Sequence, residues 1–232
     1  MKKVMTLIFF LAVAGWAAAE NTAEKAATRL QRAGEVLQEI MSAPDKGIPE
    51  EVVKGAKCIA VIPHQIKGGL GIGGAYGKGV ATCRLSNGTW SAPALFSVTG
   101  GSWGAQIGLE GVDNVLMIMN EKGMDRLLSS KFTIGADASA AAGPVGRHAA
   151  AGTDWKLNTE ILSYSRSKGV FAGATLSGAV VHPDTEAMAA LYGSDTTPRA
   201  ALLGQVPPPA AARPFLAAVR DAEIRAERQA RR

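Results

Sequence analysis

Ser102 stands in Gly100-x-Ser102-x-Gly104, the spacing of a hydrolase nucleophile elbow. That chemistry needs a strand–turn–helix around the serine, an acid, and a histidine to take the proton. His148 and His182 follow in the chain, so order alone leaves a serine hydrolase open as a third-ranked function. Gly104-Ala105-Gln106-Ile107-Gly108 follows the serine, and it reads as strand, so Ser102 is expected to be a strand or turn residue. Gly69-x-Gly71-x-x-Gly74 has the spacing of a dinucleotide fingerprint. Tyr76-Gly77-Lys78-Gly79 stands where a pyrophosphate site needs the start of a helix. The acidic ribose ligand expected roughly twenty residues further on is missing as well. The expectation is a bent strand. The three histidines and scattered carboxylates show neither a His-x-x-x-His nor a paired-acid spacing. Two cysteines without metal-ligand spacing make no metal site, and no cofactor is expected.

The cations are more informative. No acidic residue stands between Glu51 and Glu110, and Lys54, Lys57, Lys67, Lys78 and Arg84 lie in that interval. Two readings stand: a solvated rim, or a patch for anionic headgroups at about 1 kcal/mol per cation near a membrane. Arg147 follows Gly143-Pro144-Val145-Gly146. A rigid loop holds it, which suits pairing with an acid such as Asp137 or with an anion. Trp90 and Trp103 are expected in the core, with an aromatic binding face as the alternative. Cys58 and Cys83 lie in apolar, strand-like segments; they are either disulfide partners or two buried thiols.

These residues need elements to hold them. From Asn21, a capping residue with Glu24 three positions on, the spacing of Leu30, Ala33, Leu37, Ile40 and Met41 predicts an amphipathic helix. Pro49 and two glutamates open a second, short one. Residues 58–62 form an apolar strand stopped by Pro63, and 68–84 a glycine-bent strand or hairpin. Asn87-Gly88 is the strongest turn in the chain. Strands are expected over 90–98, 105–109, 112–119, 161–168 and 170–181, a helical turn over 124–129, and a capped helix over 183–192. The predicted fold class is α+β: a bent antiparallel sheet or partly open β-barrel flanked by helices.

Charge and targeting set the boundaries. Lys2-Lys3, an apolar run over 4–16 and Ala17-Ala18-Ala19 read as a signal peptide, residues 1–19, removed on export. The expected location is periplasmic or secreted, with peripheral membrane association and an oxidising environment for the cysteines. Residues 50–193 carry twelve basic and eleven acidic side chains, and 194–232 seven and four. The surplus therefore lies in the tail, which argues against nucleic acid as a partner. Gln205-Val206-Pro207-Pro208-Pro209 reads as a stiff spacer. The arginines at 220, 225, 228, 231 and 232 follow it, so 194–232 is expected to be a linker and an independent arm.

One ordered set of segments carries a family resemblance: IAVIP, the GKGV region, GTWSAPALFSVTGGSWGAQIG, IGADASAAAGPVGRH, SYSRSKGVFAGATLSG and ALYG. From about Ala33 to Gly193 the chain resembles the SYLF domain, the lipid-binding module found in eukaryotic actin-patch regulators. The resemblance implies a domain over 20–193 that is not an enzyme and binds anionic phospholipid, phosphoinositides being the usual eukaryotic ligands. It points to the N-terminal amphipathic segment and nearby cations, here Leu30, Leu37 and Ile40 with Lys54 and Lys57. Actin, a partner of some relatives, is not expected in an exported protein. The alternative function is a structural or protein-interaction module of the cell envelope.

Overall fold

The structure is a computed structural model that describes residues 2–43, 47–145, 159–167, 170–173 and 176–229, with side chains outside 2–20, 69–73, 101–109, 167, 170–173 and 229. Helix α1 spans Lys2–Ser42 and α2 Glu50–Gly55. Two long strands follow, β1 over Cys58–Cys83 and β2 over Ala94–Ile118. Then come α3 (Glu121–Leu127), β3 (Phe132–Thr133), β4 (Ala140–Ala142), β5 (Ile161–Ser167), β6 (Val170–Gly173) and β7 (Val180–Pro183). Helices α4 (Thr185–Tyr192), α5 (Pro198–Leu202) and α6 (Arg213–Gln229) complete the chain. The class is α+β, as expected. The seven-stranded sheet runs β3-β7-β2-β5-β4, with β1 on β2 and β6 on β5. It is mixed, not purely antiparallel, because β4 pairs β5 in parallel.

β1 and β2 form one antiparallel ribbon from Cys58↔Ile118 to Ala81↔Ala94, where several shorter strands were expected. Pro63 does not stop the strand. It sits in a register shift between Ile62 and Gln65, where a missing N–H costs no ladder bond. The next residue, His64, takes the chain through φ 52° and donates its backbone N–H to Asp113 Oδ1 at 2.9 Å. β1 then folds back until its own ends meet. Cys58 and Cys83 form a disulfide, and Arg84 N–H donates to Lys57 O at 2.7 Å. Glycine permits this closure at position 79, where a Cβ would stand 2.4 Å from Phe96 Cζ and 2.9 Å from Val61 O.

The helices cover the folded ribbon. Ala26, Leu30, Ala33, Leu37 and Ile40 form the buried face of α1. The helix runs without a break through Asn21, so the expected cap there is not made. Asp184 caps α4 through its side chain, and Gly193 ends it, as expected.

The tail departs most from expectation. Ala212, Phe215, Leu216, Val219, Ala222 and Ala226 are buried at helical spacing, so α6 is part of the core and not an arm. Gly34 of α1 allows the approach: a Cβ there would lie 3.0 Å from Pro214 O. Composition misled because the exposed arginines dominate it, while alanines form much of the buried face.

Candidate functional site

At the base of the ribbon, charge is used internally. Arg84 stacks on Trp90, its guanidinium 4.6 Å from the ring centre, and pairs with Glu223 of α6. Trp90 Nε1 donates to the other oxygen of Glu223 at 3.1 Å. Trp90 is buried, as expected for a core residue. Lys57 pairs with Glu121 at 2.8 Å. Arg84 therefore ties α6 to the ribbon, Lys57 pairs at the surface with α3, and Lys54, in the last turn of α2, is exposed. Leu30, Leu37 and Ile40 are buried. In this fold they face β1 and the helices, so they present no apolar face to a membrane while α1 is docked. Arg147 and His148 lie outside the described residues.

The other cations lie further along the ribbon. The register sets Lys78 beside Ser97 and Ser97 beside His182; two residues on, Tyr76, Thr99 and Val180 form the next row. Cross-strand partners share a face, so these rows line one surface at the edge of the cover given by α1 and α4. Tyr76 is 49% exposed and Lys78 42%. Thr99 Oγ1 lies 3.3 Å from His182 Nε2. Behind the rows, Arg29 of α1 and Lys78 both reach Asp184 Oδ2, at 2.9 and 3.1 Å. Burial works against the Asp184 charge. Lys78, Arg29 and the Ala187 N–H outweigh it and hold the carboxyl below its usual range. Arg29 is buried, and its Nη1 has no hydrogen-bond partner among the described residues. Lys67, on the other limb of the ribbon, lies opposite Glu110.

A second ionic cluster went unread in the sequence. Arg166 of β5 binds Asp113 of β2 through Nε at 3.0 Å and Nη2 at 2.7 Å, and pairs with Glu39 of α1. It joins helix to sheet below the ribbon's bend. Arg29, Asp184, Thr99 and His182 were likewise missed as a group, because only the register brings them together.

The chemistry motifs resolve as strand. Ser102 lies on β2 opposite Gly73, inside a ladder and without the strand–turn–helix of an elbow. Gly69, Gly71 and Gly74 lie within β1, away from any helix start. Among the described residues, no three His, Cys, Asp or Glu side chains gather where they could hold a metal, and no helix is long and apolar enough to cross a membrane.

A family described as Ysc84, Las17-binding protein actin regulator, matches residues 99–222. The match runs past Gly193 into α6, in keeping with the docked tail. An SH3 domain-containing protein of Schizosaccharomyces pombe is 40% identical over 172 residues, covering 72% of this chain and 40% of its own length. Protein YSC84 of Saccharomyces cerevisiae is 35% identical over 175 residues, covering 74% and 37%. The human SH3 domain-containing YSC84-like protein 1 is 30% identical over 194 residues, covering 83% and 56%. The chain thus spans about two-fifths of the fungal relatives and just over half of the human one. With a family match over more than half its length, the chain belongs to the Ysc84 family, whose shared module is the SYLF domain.

Proposed function

We propose that this chain is a non-enzymatic module that binds anionic phospholipid at a membrane surface of the cell envelope. The observation that carries the reading is the polar, cation-bearing face at the foot of the ribbon. There Lys78 is half-exposed above the buried Arg29, with Ser97, Thr99 and His182 beside it. Hydroxyls and cations on one exposed face suit phosphate oxygens. Lys67 adds a cation on the opposite limb. Export supplies the setting, and the Cys58–Cys83 bridge supports an oxidising compartment.

The test is flotation of the chain from Asn21 onward with vesicles of neutral phosphatidylcholine, alone or mixed with anionic lipid, at low and high salt. The expected result is flotation with anionic vesicles only, weakened by salt, because exposed charges are screened within about 10 Å at 0.1 M. Lys67→Ala should lower the partition about fivefold, the effect of one cation near an anionic surface. Equal flotation with neutral vesicles would overturn the reading.

A second reading, docking of an acidic protein, rests on α6. Its outer face exposes Arg213, Arg220 and Arg228 around the exposed Ile224. Alanine at these three arginines leaves flotation unchanged if the lipid reading holds.

A further inference from the structure

We propose that the charge-free end of the ribbon, residues 68–75 with 100–109, is the segment that enters the interfacial layer of the membrane. The inference rests on the lipid-binding reading above and gives it an orientation.

The ribbon narrows there. β5 pairs with β2 only from Asp113 to Ile118, and β7 only from Phe96 to Thr99. From Gly68↔Leu109 to Ala75↔Gly100, β1 and β2 pair with each other, and no other strand among the described residues joins them. Among the described residues, no strand pairs with either edge there. Exposed edges are normally blunted by charge, proline or a cover, because unpaired N–H and C=O groups recruit other chains. Neither limb carries a charged side chain: 68–75 reads GGLGIGGA and 100–109 GGSWGAQIGL. The register sets Leu70 opposite Ile107 and Ile72 opposite Trp103. At the foot, Ile66 is 46% and Tyr76 49% exposed. The nearest cations are Lys67 and Lys78, one on each side.

This order, with lysines at the foot, an exposed tyrosine and isoleucine beside them, and glycine with large apolar residues beyond, matches the layers of an anionic membrane surface. Cations suit the headgroups, and aromatic residues suit the interface. The edges that no described strand pairs set the depth. Unpaired backbone groups need water, so the tip stops in the interface and does not reach the hydrocarbon core. A second copy of this chain is the competing occupant. Joined tip to tip, two copies would set Lys67 and Lys78 of one against the same lysines of the other, each with an acid, Glu110 or Asp184, beside it; an anionic leaflet meets these lysines without bringing further cations.

The experiment compares wild type with the double variant Leu70→Asp/Ile72→Asp on vesicles containing anionic lipid. The proposal expects at least a tenfold loss of partition with an unchanged thermal melt. In parallel, wild type and Trp103→Phe are mixed with vesicles whose lipids carry bromine on the upper acyl chain. Bromine should quench the wild-type tryptophan emission, and the quenching should fall in Trp103→Phe. A wild type that floats together with an equally floating double variant overturns the tip while leaving the broader reading intact. A wild type that floats on no vesicle overturns both. Should the double variant fail to fold, the bromine comparison decides alone, and equal quenching in wild type and Trp103→Phe overturns the tip. A concentration-dependent dimer that the double variant dissolves, with partition unchanged, assigns the surface to a second copy and overturns it as well.

Discussion

At the base of the β1–β2 ribbon, Arg84 lies on Trp90, both bind Glu223, and Cys58 is bonded to Cys83. At the other end, the same two strands pair only with each other among the described residues and carry no charge. One pair of strands thus obeys two sets of demands. Where the ribbon meets α2 and α6, Lys57 and Arg84 each have a partner in the fold. Where it runs beyond β5 and β7, glycine keeps it thin and nothing in its composition defends its edges. Edges that no described strand pairs are the reason for proposing an external partner at this end.

The comparison can be broken most forcefully at the base. Phe215→Ala should cost about 3–5 kcal/mol in urea denaturation, because the ring is fully buried and leaves a cavity between α6 and the core. A cost under about 1 kcal/mol would return α6 to the status of a loose arm. Cys58→Ala/Cys83→Ala comes next. A cross-link spanning 25 positions restricts the unfolded chain by about 3 kcal/mol, and the double variant should lose up to that amount. A variant as stable as wild type would show that packing at Gly79 and the Lys57–Arg84 backbone bond already close the ribbon. The smallest effect belongs to the foot of the tip. Ile66→Ser and Tyr76→Ser should each move stability by no more than about 0.5 kcal/mol. A larger loss would mean that these side chains belong to the core, and the contrast between base and tip would fail.

The parts of the fold legible in the sequence are those set by near neighbours. The Asn87-Gly88 turn is made, with Leu85 N–H donating to Thr89 O at 2.8 Å. The apolar stripe of α1 and the Asp184 cap of α4 also follow from a few consecutive residues. The ribbon was not legible as one unit, because Pro63 and the glycines read locally as breaks while the ladder that spans them is a long-range property. The site shows the same limit. Lys57, Lys78 and Arg84 were visible as cations, but their roles depend on Glu121, Asp184 and Glu223. Glu223 lies 139 residues from Arg84, beyond any pattern of spacing. The docking of α6 did leave a signal: Ala212, Phe215, Leu216, Val219, Ala222 and Ala226 recur at three and four residues. Reading those alanines as apolar positions would have placed the helix in the core.

The contact between α1 and α6 has a consequence for how the protein is made. Arg225 of α6 donates to Ser42 Oγ at 3.0 Å across 183 residues of chain, and about two turns earlier on α1 Gly34 meets Pro214. The buried face of α1 is completed by α6, which is synthesised long after it. A contact of such long sequence separation forms late, because much of the chain must be ordered before it. On a ribosome, α1 and the sheet would wait with apolar surface uncovered until α6 emerged. The proposed export would avoid that interval: a chain kept unfolded until it had crossed a membrane would form the Cys58–Cys83 bridge and dock α6 in the same compartment.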